Sequence, residues 1–256
     1  LLIATKKVDC IIHAAALKQV DTAEYNPTEF IETNIIGAKN IIEVCSRNRI
    51  KKVIALSTDK ACLPINLYGA TKLCSDKLFV AANNYIIDTI FSVVRYGNVE
   101  GSRGSVIPFF KSLDPNSKFP ITSIEMTRFS LSLKKSLDVV NWSLKNCRGG
   151  EIVVPKIPSY KILDLIKAIN PKAKYKIVGI RSGEKINENL ISRFDSENTI
   201  EIKNHYIIIP RGNKKLFNHY IKKIKGKKVG NKFSFSSDRN KNFLNIKQLK
   251  NVIDNI

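Results

Sequence analysis

Three short apolar segments alternate with two segments of helical pattern near the start of the chain, and this alternation limits the possible folds more than any other feature. The apolar segments, residues 8–13, 52–57 and 89–96, have the length and composition of buried strands. In residues 27–48 and 67–83 the apolar side chains lie three and four positions apart, as on one face of a helix. A strand–helix–strand–helix–strand order predicts an α/β fold with a doubly wound parallel sheet.

Polar motifs follow each of the three predicted strands, in residues 13–18, 57–60 and 97–103. Parallel sheets of this kind bind their ligands beyond the carboxyl ends of the strands. We therefore expect all three motifs to meet at one crevice.

The pattern becomes more irregular after about residue 104. A helix is indicated over residues 134–145, a strand over 151–154 and a short helix over 162–169, whereas about the last 45 residues are polar and weakly patterned. We expect residues 104–256 to form a smaller α/β substrate-binding lobe with a polar C-terminal extension.

The chain contains no Gly-x-Gly-x-x-Gly turn, although a dinucleotide-binding sheet normally opens with a strand followed by a Gly-rich turn. It also begins with Leu1, in the middle of a pattern. We therefore expect residues 1–103 to be the remainder of a Rossmann-type dinucleotide-binding domain whose first strands and Gly-rich turn are missing. Such a truncated chain would by itself be poorly stable and inactive.

The formal net charge of +21 raises the possibility of a nucleic-acid partner. The excess is concentrated in residues 214–232, is rich in lysine, and is accompanied by no aromatic platform or zinc signature. The five cysteines show no metal-ligand spacing, and no apolar run approaches the length of a membrane span. These features favour a cytoplasmic protein with no metal site, no nucleic-acid partner and no membrane attachment.

The segment STDKACLPINLYGATK, residues 57–72, contains the residues best suited to chemistry. Tyr68 and Lys72 are four residues apart, which places both on one face of the predicted helix. A nearby ammonium would lower the pKa of the Tyr68 phenol and make it a usable base towards a hydroxyl, while Lys72 could also hold a nicotinamide ribose. Ser57 and Thr58 end the preceding strand, so a hydroxyl would lie beside the tyrosine.

Taken together, these motifs closely resemble the extended short-chain dehydrogenase/reductase superfamily, and more narrowly the inverting UDP-N-acetylglucosamine 4,6-dehydratases of the pseudaminic acid pathway. The resemblance covers nearly the whole chain. It implies NADP as cofactor, a UDP-sugar as substrate, a homo-oligomer, and a place in polysaccharide biosynthesis such as flagellin glycosylation. It is carried by residues 13–45, 55–79, 92–110, 126–133, 149–165 and 177–188.

Asp59 and Lys60 indicate the subclass, because related glucose-nucleotide dehydratases carry Asp-Glu at these positions. In the implied cycle, Tyr68 takes the proton of the C4 hydroxyl, Thr58 orients that oxygen, and hydride passes to NADP. Lys60 then removes the C5 proton and Asp59 protonates the leaving C6 hydroxyl. For this role Lys60 must be partly neutral, which burial or the nearby Lys72 would promote.

The resemblance also implies residues that contact the cofactor and the substrate. Arg181, Gly183 and Glu184 resemble an Arg-Pro-Gly-Glu-Lys motif that grips UDP, although Ser182 replaces the proline. His13 is expected to be structural, and Arg128 fits domain packing equally well. The implied cofactor-binding residues are Ala14, Ala15, Asn34, Ser57, Tyr68, Lys72, Tyr96 and Val99, and the implied substrate-binding residues are Lys18, Thr58, Asn98, Arg103, Ser105, Arg181 and Glu184.

Two other functions remain open at this point. The first is another sugar-nucleotide enzyme of the same superfamily, either a 4-epimerase or a retaining dehydratase. An epimerase needs no C5 base, so Asp59 and Lys60 argue against it, and membrane-attached retaining relatives often carry methionine where Tyr68 stands. The second is a non-catalytic Rossmann module or a basic nucleic-acid binder, which would bind nucleic acid in a salt-sensitive way and show no turnover.

Overall fold

The structure, a computed structural model, describes residues 1–114 and 116–256. The helices are α1 (Val20–Tyr25), α2 (Pro27–Ile31), α3 (Gly37–Asn48), α4 (Leu67–Ala82), α5 (Val106–Lys111), α6 (Leu133–Asn146), α7 (Ile162–Ile169), α8 (Lys214–Lys222) and α9 (Ile246–Asp254). The strands are β1 (Cys10–His13), β2 (Lys52–Thr58), β3 (Ile90–Tyr96), β4 (Phe119–Ile121), β5 (Thr127–Phe129), β6 (Ile152–Pro155), β7 (Ser159–Lys161), β8 (Tyr175–Ile177), β9 (Asn189–Ile191), β10 (Thr199–Glu201), β11 (His205–Ile208), β12 (Lys227–Lys228) and β13 (Phe235–Ser236).

A seven-stranded sheet with the order β1-β2-β3-β6-β11-β10-β12 organises the described chain. The strands β1, β2, β3 and β6 are parallel, and β11, β10 and β12 extend the sheet with antiparallel pairings. The predicted α/β fold with a parallel central sheet is confirmed. The sheet takes strands from both sides of residue 104, and the division of the chain at that residue stays a prediction.

Strand β2 shows why the sheet lies between two layers. Val53 and Ala55 point into one apolar cluster together with side chains of α3 and α4, whereas Ile54 and Leu56 point into a second cluster with side chains of α6 and α8. Successive strand residues face opposite sides of a sheet, so a strand with apolar residues on both sides must be covered on both. This explains the continuous apolar run of β2. The expectation of a buried strand at residues 8–13 is wrong for β1, where Cys10 and Ile12 are exposed.

The predicted helix of residues 27–48 has a local irregularity. It is formed by α2, a π-helical turn at Glu32–Ile36, and α3. π-helical turns insert one extra residue per turn and are frequent at functional sites. Asn34 lies in this turn, on a buried face of the helix beneath the crevice, and is 1% exposed.

The polar C-terminal region contains two helices that its weak pattern did not indicate. The side chains of Asn213 and Asn245 accept hydrogen bonds from the backbone at the starts of α8 and α9. Each helix buries a narrow apolar stripe, and α9 packs against α7 through Leu249 and Ile253. In the part of the chain that the structure describes, no helix is both long and apolar enough to cross a membrane.

Candidate active site

The carboxyl end of β2 carries three adjacent polar side chains. Thr58 is extended and begins a 3₁₀ turn at Asp59–Ala61, where its Oγ1 accepts a hydrogen bond from the backbone N–H of Lys60 at 3.3 Å. The same hydroxyl donates to Asp59 Oδ1 at 2.9 Å. The Asp59 side chain is fully buried, and its Oδ2 has no hydrogen-bond partner among the described residues. A buried carboxylate oxygen without a donor is costly, so this turn is not a solvated loop and is a candidate for chemistry.

Helix α4 places Tyr68 and Lys72 against this turn. Asn66 caps the helix, its Oδ1 accepting from the N–H of Gly69 at 2.7 Å. Tyr68 is 8% exposed and Lys72 3% exposed, and the Lys72 ammonium donates to the carbonyl of Leu56 in β2 at 2.9 Å. The predicted meeting of the strand end with the Tyr-x-x-x-Lys helix is therefore present in the structure.

Gly69 permits this close approach. A Cβ built on Gly69 would lie 2.2 Å from the carbonyl oxygen of Lys60, a separation that no side chain can adopt. Any larger residue must therefore push α4 and the 3₁₀ turn apart.

Replacing Gly69 with alanine is expected to lower the free energy of unfolding by about 1–3 kcal/mol, the usual cost of overpacking, and to reduce turnover by displacing Lys60. Gly37 is the matched control, because it is also helical and its Cβ would meet Glu32 O at an ordinary 3.6 Å. Urea unfolding and turnover of Gly69→Ala and Gly37→Ala would be compared. Equal behaviour of the two variants would contradict the packing argument.

The protonation of Tyr68 and Lys72 differs from the expectation that Lys72 lowers the pKa of the phenol. Burial raises the pKa of Tyr68, and the opposing influences are the positive charge of Lys60 and a hydrogen bond with Thr58. Burial also lowers the pKa of Lys72, against the attraction of Asp76. The charge of Lys60 therefore favours the Tyr68 phenolate.

Lys60 lies between two carboxylates. Its Nζ is 3.0 Å from Asp59 Oδ1 and 3.4 Å from Glu188 Oε1, and these two carboxylates are 0% and 3% exposed. Burial disfavours the ammonium, but the two negative charges outweigh burial and the nearby Arg128, so the pKa of Lys60 is raised. The direction of this shift is opposite to the one that a partly neutral Lys60 requires, because the carboxylates of Asp59 and Glu188 both stabilise the ammonium.

Glu188 belongs to a loop that follows the predicted UDP-binding motif. Hydrogen bonds join this loop to the segment just after the 3₁₀ turn at Asp59–Ala61, which is the proposed catalytic turn. Asn66 donates its Nδ2 to the carbonyl of Gly183 at 2.7 Å, and Lys185 donates its Nζ to the carbonyl of Cys62 at 2.8 Å. Gly183 has a φ of +73°, and a Cβ there would lie 2.9 Å from Asn66 Cβ, so glycine is required. No local sequence signal marks Glu188, because its partner Lys60 is distant in the chain.

The implied UDP-binding residues occupy different surroundings within this loop. Glu184 accepts a hydrogen bond from Thr122 at 2.8 Å and lies 3.6 Å from the Arg128 guanidinium. Arg128 is buried and donates to the carbonyls of Thr127, Lys185 and Ile186, so it holds the loop in place. Arg181 is exposed.

Residues after β1 form the other side of the crevice. Ala14 and Ala15 are exposed. Asn34 clasps the following segment, since its Oδ1 accepts from the N–H of Leu17 and its Nδ2 donates to both Leu17 O and Thr71 Oγ1. The amide of Asn34 is thus committed to linking this segment with α4. His13 is buried against Phe79, and burial, with the charge of Lys72, lowers its pKa to about 4, which fits the structural role expected for it.

The segment after β3 contributes further implied residues. Asn98 Oδ1 and Ser105 Oγ are buried, and neither has a hydrogen-bond partner within residues 1–114 and 116–256. Lys18 Nζ donates to the carbonyl of the exposed Arg103 at 2.7 Å, so the segments after β1 and β3 meet as predicted. Tyr96 is half-buried, and Val99 forms a bridge with Leu131.

Ser57 is connected to a buried ion pair beneath the site. Asp76 Oδ2 accepts from Ser57 Oγ at 2.9 Å and from the Arg95 guanidinium at 3.1 Å. The Arg95 and Asp76 side chains are only 4% and 2% exposed. The hydroxyl of Ser57 is therefore oriented by a pair that joins α4 to β3.

Comparison with known proteins places the chain among sugar-nucleotide enzymes. A family model described as polysaccharide biosynthesis protein matches residues 1–210. The inverting UDP-N-acetylglucosamine 4,6-dehydratase of Campylobacter jejuni strain 81-176 is 51% identical over 99% of the chain, which covers 78% of that protein. The UDP-glucose 4-epimerase of Rickettsia bellii strain OSU 85-389 is 40% identical over 99% of the chain, which covers 76% of it.

Solved structures show the same architecture. Pen from Bacillus thuringiensis superposes with a TM-score of 0.86 at 31% identity, and the match covers 100% of the chain and 78% of Pen. The UDP-glucuronic acid 4-epimerase of Bacillus cereus, solved with UDP-glucuronic acid and NAD, gives a TM-score of 0.65 at 20% identity, covering 72% of the chain and 67% of the epimerase. Together with the parallel sheet, these likenesses confirm the predicted Rossmann-type fold.

Proposed function

The chain belongs to the polysaccharide biosynthesis protein family, and from that premise we propose that it catalyses the NADP-dependent 4,6-dehydration of UDP-N-acetylglucosamine, with inversion at C5, to a UDP-4-keto-6-deoxy sugar. The observation that carries the proposal is the ion pair of the partly exposed Lys60 and the fully buried Asp59, whose Nζ and Oδ1 atoms are 3.0 Å apart at the end of β2 beside Tyr68. The 51% identity to an inverting dehydratase supports it. The homo-oligomer, the cytoplasmic location and the link to pseudaminic acid belong to the same proposal.

The residues around the crevice fit a nicotinamide dinucleotide. Ala14 and Ala15 are exposed after β1, and their side chains end at Cβ, so the backbone there is open to a ligand. Lys72 and Tyr68 on α4, together with Tyr96 and the other implied residues, would hold its nicotinamide half. When bound, the nicotinamide accepts a hydride from C4 and returns one at C6, so the reaction has no net redox change. NADP rather than NAD is the choice that the resemblance implies.

Tyr68 and Thr58 act on the C4 hydroxyl in the proposed reaction. Tyr68 takes the hydroxyl proton, and the positive charge of Lys60 assists by favouring the phenolate. Thr58 lies beside the phenol and orients the same oxygen. Once C4 is a carbonyl, the proton on C5 is α to it, and a modest base suffices to remove it.

Asp59 and Lys60 then eliminate water. A proton moves from Lys60 Nζ to Asp59 Oδ1 without changing the net charge of the pair. The neutral Lys60 takes the C5 proton, and the electrons of the C5–H bond form the C5=C6 double bond while the C6 hydroxyl leaves with the proton of Asp59. Elimination leaves the pair as ammonium and carboxylate. Return of a hydride to C6 would then be balanced by a proton delivered to C5 on the opposite face, which gives the inversion.

Groups on both sides of the crevice would bind the UDP-sugar. The segments after β1 and β3 contain Lys18, Asn98, Arg103 and Ser105. Asn98 Oδ1 is buried and has no donor among the described residues, so it could accept a hydrogen bond from the ligand. In the loop of residues 181–188, the Arg181 guanidinium would meet the diphosphate and Glu184 the ribose hydroxyls.

A 4-epimerase is the second candidate, favoured by the 40% identity to the Rickettsia bellii protein. Epimerisation and dehydration share the oxidation at C4, for which Thr58, Tyr68 and Lys72 would serve equally. Only dehydration uses a C5 base and an acid towards the C6 hydroxyl. The placement of Lys60 against the buried Asp59 at the carboxyl end of β2 therefore favours the dehydratase.

Mass spectrometry of the product separates the two candidates. We expect the full-length protein, incubated with UDP-N-acetylglucosamine in deuterated water, to form a product that has lost one water and carries deuterium at C5. A product of unchanged formula that is epimeric at C4 would support the epimerase. Absence of any product from this substrate would overturn the proposal.

A further inference from the structure

Glu188 is a buried acidic residue that the implied catalytic cycle does not use. Its side chain is 3% exposed, and its Oε1 lies 3.4 Å from Lys60 Nζ. Its Oε2 is buried and has no hydrogen-bond partner among the described residues. Burying a carboxylate is costly unless a charge or donors compensate, and the ammonium of Lys60 is the positive group within ion-pair distance of it.

The position of Glu188 is fixed independently of Lys60. Its backbone N–H donates to Ser237 Oγ at 2.9 Å, and its carbonyl accepts from the N–H of Ser237 at 2.8 Å. Ser237 is fully buried and also lies 2.6 Å from Thr127 Oγ1. This contact continues the antiparallel pairing of β13 with β9 by one step, so the C-terminal region supports a carboxylate at the proposed catalytic turn.

We propose that Glu188 is a positioning residue for the dehydration, which holds Lys60 beside Asp59 and helps this pair to keep the single proton that elimination needs. The inference rests on the proposed function. The pair must carry one proton, because Lys60 is the base and Asp59 the acid of the same step. Burial alone would drive that proton away from Lys60, and the negative charge of Glu188 opposes this loss.

The charges around Lys60 determine the sign of the expected pH effect. The carboxylates of Asp59 in the same turn and Glu188 before β9 favour the ammonium of Lys60. The cations Arg128 on β5 and Lys185 in the loop oppose it. The phenols of Tyr68 on α4 and Tyr160 on β7 complete its surroundings. Removing the charge of Glu188 leaves Asp59 as the principal carboxylate, so the pKa of Lys60 falls. The alkaline limb of activity, where the pair loses its last proton, must then move to lower pH.

The substitution Glu188→Gln tests this inference in the full-length protein. The glutamine amide oxygen can still accept from Lys60, so the side chain keeps its place while the negative charge is lost. We expect the alkaline limb of kcat/KM for water loss to move to lower pH, and kcat to fall about 10- to 100-fold, as for loss of a charge-assisted hydrogen bond. KM for the UDP-sugar should stay close to that of the wild type.

The matched control is Glu201→Gln. It removes the carboxylate of a surface ion pair in which Glu201 Oε1 lies 2.7 Å from Lys156 Nζ, on another part of the sheet. It should leave the pH profile and kcat unchanged. An unchanged alkaline limb in Glu188→Gln would overturn the inference, whereas a wild-type protein that loses no water from the substrate would overturn the proposed function instead.

Glu188→Asp decides the question if the glutamine variant fails to fold. It keeps the charge but shortens the side chain by one carbon, so the alkaline limb should stay near that of the wild type while kcat falls. Thermal unfolding of both variants would show whether they are folded. Full kcat in the aspartate variant would overturn the inference, because contact with Lys60 would then be irrelevant to turnover.

Discussion

Replacing Lys60 with alanine is expected to block elimination of water while leaving binding of UDP in place, with oxidation at C4 slowed but not abolished because the phenolate of Tyr68 loses a nearby cation. Lys60 is the proposed base, and a positioned acid or base contributes about 10²–10⁴-fold to a rate. Lys72, Tyr68 and Thr58 remain in this variant, so hydride transfer from C4 should still be detectable. The measurements are product formation by mass spectrometry, cofactor reduction by absorbance, and UDP affinity by calorimetry.

Lys156→Ala is the control for this experiment. Like Lys60, Lys156 is partly exposed and forms an ion pair, its Nζ lying 2.7 Å from Glu201 Oε1. It does not contact the catalytic turn. It should dehydrate the substrate at the wild-type rate. Normal dehydration by Lys60→Ala would show that the base has been assigned wrongly, and Asp59 or Tyr68 would then have to be considered.

Replacing Arg95 with methionine is expected to lower the free energy of unfolding by about 3–5 kcal/mol, the usual cost of breaking one partner out of a buried ion pair. Arg95 and Asp76 are both almost fully buried, so the remaining carboxylate would keep only the hydroxyl of Ser57 as a donor at its Oδ2. The loss should be visible as a lower urea midpoint with an unchanged slope.

The double variant Arg95→Met with Asp76→Leu should recover much of this stability, because replacing both partners of a buried pair by apolar groups is often neutral. It should not recover activity, since Ser57 would lose the acceptor that orients it. Arg47→Met is the control, because Arg47 is exposed on α3. A small loss of stability in Arg95→Met, similar to that of Arg47→Met, would contradict the expected cost of burial.

The parts of the site that could be predicted from the sequence are those set by short-range geometry. Tyr68 and Lys72 lie four residues apart on one helix, and Thr58, Asp59 and Lys60 are adjacent, so a correct assignment of the strand and the helix was sufficient to bring them together. The apolar runs of β2 and β3 are continuous because these strands are buried on both faces, and this made them recognisable. The run of β1 was equally recognisable, although Ile12 is 50% exposed.

The parts that could not be predicted depend on contacts between distant segments. A lowered pKa of Lys60 was expected, but the charges of Asp59 and Glu188 raise it, and Glu188 lies at the site because β9 pairs with β13. Asn34 was assigned to the cofactor, yet its amide atoms are used by Leu17 and Thr71. Neither contact has a periodicity or spacing that a sequence pattern could reveal.

A single asparagine, Asn66, connects the loop of residues 181–188, which is proposed to bind the nucleotide, to the helix that carries Tyr68. Asn66 uses its Oδ1 to cap the helix that carries Tyr68 and its Nδ2 to hold the carbonyl of Gly183. The two halves of one amide group are rigidly joined, so a displacement of the loop on binding a diphosphate must either be absorbed by breaking one of these bonds or be passed on to the first turn of α4. In the proposed enzyme, binding of the nucleotide and alignment of the Tyr68 phenol would therefore be linked through Asn66, and an altered nucleotide that displaces the loop would also displace the phenol.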